Sequence, residues 1–167
     1  MKNLKLASLF IGVLLVSSLT YAEKSVTRDK PLVDVDIGGS SGNYNGRTYT
    51  ELNLGVNLNF TEWLTWRNSA FKRFGTSGEK DVTGLDSTLR LVSTTPFTGG
   101  AFRIFGGAGY RFADPSENNA LVGEGGLGFS FGRFGLGAGA KYLKYDKTQK
   151  DDISYFFTVS GGAGFSF

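Results

Sequence analysis

The chain has 167 residues, with 18 Lys and Arg, 15 Asp and Glu and no histidine, so its formal net charge is +3 at neutral pH. Such a small excess of basic residues does not indicate a nucleic-acid partner. The sequence contains no cysteine, which excludes disulfides, thiolate metal sites and lipidation at a cysteine. The length is that of a single domain.

The first 22 residues predict a secretory signal peptide. Lys2 and Lys5 give it a basic start, residues 6–19 are uncharged and mostly apolar, and Ala22 is a small residue at the expected cleavage point. The apolar run is shorter than the roughly 20 residues that a membrane-spanning helix needs. We therefore expect cleavage after Ala22 and a mature domain of residues 23–167. Lipid admits only helices or closed barrels, and no second apolar helix follows, so the mature domain is either periplasmic or an outer-membrane barrel.

Alternating apolar and polar residues predict eight β-strands in the mature domain, because side chains of a strand point to opposite faces in turn. The clearest alternation is in residues 47–60, where Leu52 and Leu54 alternate with Glu51 and Asn53. The predicted strands are residues 32–40, 47–60, 64–74, 85–94, 101–112, 120–131, 134–145 and 153–167. Most are near the roughly 9–11 residues that a tilted membrane strand requires.

The predicted connections alternate between long and short. The long, polar ones are residues 41–46, 75–84, 113–119 and 146–152, and the short ones lie around 61–63, 95–100 and 132–133. Outer-membrane barrels have short periplasmic turns and longer extracellular loops. The pattern therefore predicts an all-β fold, an eight-stranded antiparallel up-and-down transmembrane barrel with both ends in the periplasm.

Alternation alone does not say which face of the barrel is apolar, since a soluble lipocalin-like barrel has its apolar face inside. Aromatic residues gather near both strand ends, as expected for girdles at two water–lipid interfaces. Phe60, Trp63, Trp66, Phe102, Phe131, Phe134 and Phe167 lie near the short turns, and Tyr49, Tyr110, Phe112, Tyr142 and Tyr155 near the long loops. We expect the apolar face to be outside, although Asn68, Ser87 and Ser93 then face lipid. A periplasmic lipocalin-like binding barrel stays a remote alternative.

The face predicted to point inward carries both signs of charge. Its members are Asp34, Asp36, Glu51, Arg67, Arg73, Asp86, Arg90, Arg103, Arg111, Glu124 and Lys141. An eight-stranded interior is only wide enough for side chains to fill, and buried charges must pair or form hydrogen bonds. We therefore predict a lumen largely plugged by ion pairs, with a narrow porin-like channel as the alternative.

The last strand ends in Ser160-x-Gly162-x-x-Phe165-x-Phe167. This arrangement resembles the C-terminal β-signal of bacterial outer-membrane barrels, which is a polar residue, a glycine and two aromatics at the same spacing. The resemblance implies that the barrel-assembly machinery recognises this strand and that periplasmic chaperones accompany the chain before insertion.

The signal peptide, eight-strand pattern, loop lengths and terminal motif together resemble small eight-stranded outer-membrane proteins, the OmpA transmembrane domain and OmpX-like barrels. The resemblance implies an integral protein of the Gram-negative outer membrane with a structural or surface-interaction role. These are architectural motifs, so they identify no binding site and no cofactor.

Enzymes also use barrels of this size. Outer-membrane lipid A deacylases and palmitoyltransferases are similar in size, and their chemistry relies on His with Ser. A serine nucleophile needs a base that titrates near neutrality, and this sequence has no histidine. We therefore expect a non-enzyme without catalytic or metal sites, in which Asp151 and Asp152 belong to a solvated loop.

Lysines accumulate near the ends of the predicted long loops, among them Lys72, Lys144 and Lys147. Outer-leaflet lipopolysaccharide carries phosphates, which lysine binds as a mobile point charge. These three lysines are candidate lipopolysaccharide contacts. Acidic residues share the same loops, so a solvated surface of mixed charge is the alternative.

Overall fold

The computed structural model describes residues 32–44, 46–74, 81–147 and 151–162. The strands are β1 (Val33–Tyr44), β2 (Arg47–Asn59), β3 (Leu64–Phe74), β4 (Val82–Phe97), β5 (Gly100–Asp114), β6 (Ala120–Phe131), β7 (Phe134–Tyr145) and β8 (Asp151–Gly162). A single-turn 3₁₀ helix, Ser116–Asn118, lies between β5 and β6. Among the described residues, no helix is long and apolar enough to cross a membrane.

The eight strands form a closed antiparallel barrel. Each strand pairs with the next along the chain, and β8 closes the barrel by pairing with β1 from Asp34 opposite Gly162 to Gly42 opposite Ser154. Closure leaves no strand at a free sheet edge, because each strand pairs with a neighbour on both sides. The predicted fold class is confirmed.

Several strands are longer than the alternation predicts, and the first connection, predicted to be a long loop over residues 41–46, is short. β1 continues to Tyr44, which pairs with Arg47 at the start of β2, so the first connection is short. Gly42 and Asn43, residues typical of turns, are held in the ladder by their partners on β2. β4 and β5 likewise extend to Phe97 and Gly100. Gly99 then has φ of +87°, a left-handed conformation that glycine adopts without strain.

The outer face of the barrel is apolar and the lumen is polar. Ile37 and Leu52 are 64% and 57% exposed, whereas Glu51 and Arg111 are fully buried. A soluble lipocalin-like barrel has the reverse arrangement. Tyr49 was expected in the outer girdle, but it is buried in the lumen because it alternates in phase with Glu51.

The lumen also contains apolar side chains, which gather toward the long-loop end. Ala120, Val122, Leu143 and Tyr145 form a buried cluster, and Tyr44 packs against it. Phe71 and Phe156 are buried elsewhere in the lumen. The lumen is therefore filled by mixed packing, with apolar contacts next to ion pairs.

Gly109 on β5 lies against the backbone of β4 without room for a side chain. A Cβ at Gly109 would stand 1.9 Å from the carbonyl oxygen of Ser87 and 2.6 Å from the Cα of Thr88. Gly109→Ala must displace backbone, so we expect a loss of about 1–3 kcal/mol in the free energy of unfolding, measured by urea unfolding in lipid vesicles. Gly123→Ala is the control, because a Cβ there meets nothing within 4 Å. Equal unfolding midpoints for the two variants would contradict the prediction.

Candidate functional site

The centre of the lumen is organised around the guanidinium of Arg111. Its Nη1 and Nη2 donate to Glu51 Oε1 and Oε2 at 2.8 and 3.1 Å. Its Nε and Nη2 donate to Asp86 Oδ1 and Oδ2 at 2.7 and 2.9 Å. These bonds join β5 to β2 and β4, so one side chain crosslinks three strands of the wall.

Two further cations extend this central network. Arg73 Nε donates to Glu51 Oε1 at 2.9 Å, and Lys141 Nζ donates to Asp86 Oδ2 at 2.6 Å. Three cations therefore share two carboxylates, and all five side chains are almost completely buried. Charge-assisted bonds of this length satisfy groups that would otherwise be very costly to remove from water.

A second group lies toward the short-turn end, where β1, β2 and β3 meet. Arg67 donates from Nε and Nη2 to the two oxygens of Asp36 at 3.0 and 2.6 Å. Asn57 donates to both Asp36 and Asp34, at 2.8 and 2.7 Å. Asn59 adds a bond to Asp34 at 2.9 Å. Amides therefore link the two aspartates, and only Asp36 has an arginine as partner in these contacts.

A third group connects β4 with β6. Arg90 binds Glu124 through two parallel bonds of 2.7 and 2.8 Å, and the Thr88 hydroxyl donates to Glu124 Oε1 at 2.6 Å. This fork-to-fork geometry is the strongest form of the arginine–carboxylate pair. Oε1 accepts two of these bonds and Oε2 accepts one, so Glu124 is held in one orientation.

Three lumenal arginines also lie over aromatic rings. The guanidinium carbon of Arg73 is 3.8 Å from the ring centre of Tyr49, and that of Arg111 is 3.9 Å from Phe71. Arg90 lies 4.7 Å from the ring centre of Phe105. Hydrogen bonds use the edges of each guanidinium, and the aromatic ring packs against its flat face in a cation–π contact. The arginines are thus packed on their faces and bonded at their edges.

The space between the second and third groups and the central network is small. A cavity of about 10 Å³ is lined by Asn53, Arg67, Arg90, Glu124, Lys141, Phe156 and Thr158. A cavity of this size holds at most one water molecule.

The eleven charged residues predicted to face inward all lie on strands of this wall: Asp34, Asp36, Glu51, Arg67, Arg73, Asp86, Arg90, Arg103, Arg111, Glu124 and Lys141. The structure brings ten of them into the three bonded groups described above. Arg103 is half-buried nearer the short-turn end, and none of the bonds described above includes it. No described cluster of three or more Asp, Glu, Cys or His has the arrangement of a metal site.

Sequence reasoning missed several lumenal partners, Asp152 above all. Asp152 was expected in a solvated loop, but β8 begins at Asp151 and the Asp152 side chain is 3% exposed. It accepts hydrogen bonds from the Tyr49 hydroxyl and from the backbone N–H of Asn43, the latter at 3.3 Å. Tyr145, which accepts from Arg73 at 2.9 Å, was likewise missed. The alternation of Asp152 with the outward-facing Ile153 is the signal in the sequence that would have predicted a lumenal Asp152.

The candidate lipopolysaccharide contacts lie on the outer surface. Lys72 is half-exposed, forms a 3.1 Å ion pair with Asp81, and has its ammonium 5.4 Å from the ring centre of Phe74. Lys144 is exposed on β7. Lys147 donates to the Ser116 hydroxyl at 3.3 Å. The three side chains do not converge on one point within the described residues.

The predicted assembly signal is only partly within the described residues. Ser160 lies on β8 between Asp36 of β1 and Gly135 of β7, and Gly162 pairs with Asp34. Phe165 and Phe167 lie outside the described residues, as does the predicted signal peptide, residues 1–22.

Comparison with solved structures places this architecture among outer-membrane barrels. The crystal structure of the outer membrane enzyme PagL superimposes with a TM-score of 0.61, at 14% sequence identity, over 75% of this chain and 97% of that one. This chain has the fold of an outer-membrane barrel. No family model matches the sequence, and no curated protein matches it.

The likeness to PagL confirms the resemblance to eight-stranded outer-membrane barrels at the level of the fold. Whether the chain is of the OmpA or OmpX-like kind stays a prediction, since the comparisons found no such match. At 14% identity the likeness shows the fold alone and assigns no role to any residue of this chain.

The expectation that the chain is not an enzyme is contradicted by the same likeness. That expectation rested on the absence of histidine, which removes one way of activating a serine. The matched barrel is an outer-membrane enzyme, so this fold is compatible with catalysis. We withdraw the classification as a non-enzyme.

Proposed function

We propose that the chain is an integral outer-membrane barrel whose lumen does not conduct and whose role is exercised at its outer surface. The filled lumen carries this proposal. Among the described residues, three bonded groups and three arginine–aromatic stacks occupy the interior, and a cavity between the groups has a volume of about 10 Å³. With the lumen filled, the loops and the lipid-facing wall are left to interact with other molecules.

The proposed location requires export and assembly. The basic and apolar start of the chain supports export, and Ser160 and Gly162 on β8 belong to the proposed signal for the barrel-assembly machinery. The apolar outer face, with Leu54 and Leu89 at least half exposed, supports a final position in lipid.

Conductance in planar bilayers tests the closed lumen. We expect the purified wild-type barrel to give little current above the bare bilayer, because ions cannot pass a lumen filled by paired side chains. Circular dichroism and heat-modifiable gel mobility establish that the inserted protein is folded. Large, steady conductance from folded protein would overturn the proposal and favour the narrow channel.

We further propose that Lys72, Lys144 and Lys147 contact lipopolysaccharide phosphates. Changing all three to Gln should reduce co-purified lipopolysaccharide and lower the melting temperature only when lipopolysaccharide is present. Arg133→Gln, at the exposed short turn before β7, is the control at the opposite end of the barrel. An equal loss of stability with and without lipopolysaccharide would indicate a folding defect and contradict the proposed contact.

A further inference from the structure

Two polar side chains interrupt the apolar outer face well inside their strands. Asn68 on β3 and Ser87 on β4 are directly opposite each other, and both alternate with lumenal residues, so they point outward. The outward-facing residues two positions away along each strand are apolar, including Leu85 and Leu89. Ser93 also points outward, but it lies only four residues from Phe97, the short-turn end of β4.

The strand register extends this pair into a row of directly opposed residues that reaches the long-loop end of the barrel. Ser87 is opposite Tyr110 on β5, Tyr110 is opposite Leu121 on β6, and Leu121 is opposite Lys144 on β7. We call these five residues the outer row. Strands are about 4.8 Å apart, so the row spans about 19 Å from Asn68 to Lys144. It starts near the middle of β3 and ends one residue before the long-loop end of β7.

The polar groups of the outer row have unused hydrogen-bonding capacity. The Ser87 hydroxyl oxygen accepts from Trp66 Nε1 at 2.9 Å, which leaves its own O–H free to donate. The Tyr110 hydroxyl donates to Asp146 and retains an acceptor lone pair. The Asn68 amide has no hydrogen bond to any described residue. An amide without a partner is costly in hydrocarbon, so the Asn68 side chain is suited to bind a polar group that approaches from the lipid side.

We infer that the outer row binds an outer-leaflet lipid with a phosphorylated headgroup and with amide or hydroxyl groups on its acyl chains. Lys144 would bind the headgroup phosphate, and Leu121 would contact the first apolar part of the acyl chains. Tyr110, Ser87 and Asn68 would form hydrogen bonds with the amide or hydroxyl groups deeper in the membrane. This deepens the proposed function and rests on it for the orientation that puts Lys144 in the outer leaflet and for the contact of Lys144 with a phosphate.

The shape of the surface favours a lipid over a second copy of the chain. Leu85 and Leu89 stand outward beside Ser87, at 41% and 50% exposure, while Ala70 and Ala108 leave shallow spaces beside the row. A flexible acyl chain fits between such projections. A second convex barrel would meet the leucines before its polar groups reached Asn68.

The test removes the polar groups without removing a charge. Asn68→Leu combined with Ser87→Ala should retain at least fivefold less lipopolysaccharide after detergent extraction. The wild-type gain in melting temperature in lipopolysaccharide vesicles, relative to phosphatidylglycerol vesicles, should also disappear. Phosphatidylglycerol carries a phosphate but no amide or hydroxyl on its acyl chains. In that lipid alone the double variant should be at least as stable as the wild type, which shows that it folds. Ser93→Ala, an outward serine of the same strand, is the matched control.

Two results would overturn the inference. One is unchanged lipopolysaccharide retention and melting behaviour in the double variant. The other is a wild-type dimer, detected by light scattering in detergent, that the double variant converts to a monomer, because the row would then be a contact between copies. Conductance in planar bilayers tests the closed lumen separately, and we expect the double variant to have the same conductance as the wild type.

Discussion

Glu51→Gln is expected to lower the free energy of unfolding by about 3–5 kcal/mol. The carboxylate of Glu51 is fully buried and accepts bonds from Arg73 and Arg111. The amide that replaces it keeps the volume and loses the negative charge. Three buried cations are then left around Asp86, and the cost of an uncompensated buried charge exceeds that of a lost neutral hydrogen bond. Urea unfolding in lipid vesicles measures the loss.

The charge balance also predicts how the losses in the free energy of unfolding rank among related variants. Arg111→Met should cost less than Glu51→Gln, because Glu51 keeps Arg73 and Asp86 keeps Lys141. Combining the two substitutions should recover part of the loss caused by Glu51→Gln, a coupling that a double-mutant cycle isolates. Glu62→Gln, in the exposed turn between β2 and β3, is the control for loss of one negative charge. A larger loss for Arg111→Met would show that crosslinking, rather than charge balance, dominates.

Removing Arg90 and Glu124 together is expected to open a conducting path. Both residues line the cavity of about 10 Å³, and they form one bidentate pair. Truncation of both to Ala widens the cavity and leaves neither partner with an uncompensated charge. We expect the barrel to fold and its single-channel conductance in planar bilayers to rise at least tenfold.

Single substitutions separate the opening of the lumen from damage to the fold. Arg90→Ala alone leaves Glu124 buried without its arginine, so we expect this variant to lose stability, at a cost of about 3–5 kcal/mol. The exposed pair Glu62 and Arg133, both changed to Ala, is a control with the same change in composition. A folded Arg90–Glu124 double variant that stays closed would show that the path is blocked elsewhere, for example by Phe105 and Phe156, whose ring centres are 6.1 Å apart.

Much of the barrel was predictable from the sequence because strand alternation is a local property. Backbone geometry turns successive side chains to opposite faces, so eight alternating segments with charges on one face define the strands and the lumenal set. The same rule, applied strictly, also places Tyr49 and Asp152 inside. They were misassigned because tyrosine is typical of girdles and consecutive aspartates are typical of loops.

Strand ends and the role of the fold were harder to predict. Gly42 and Asn43 have the composition of a turn, yet pairing with β2 keeps them in the ladder. The absence of histidine suggested a non-enzyme, whereas the fold is shared with an outer-membrane enzyme. Amino-acid composition limits which catalytic mechanisms are available, but it does not show whether a protein with this fold is an enzyme.

The sequence by itself determined the strand number, the all-β class and which residues carry the lumenal charge, because each follows from neighbours a few positions apart. Only the tertiary structure decided the partners. Arg111 meets Glu51 across 60 residues of chain, and Tyr49 meets Asp152 across 103. The outer row likewise exists only through the register of β3 to β7. Register and closure arise from the packing of all eight strands at once, so no local pattern specifies which buried acid finds which base.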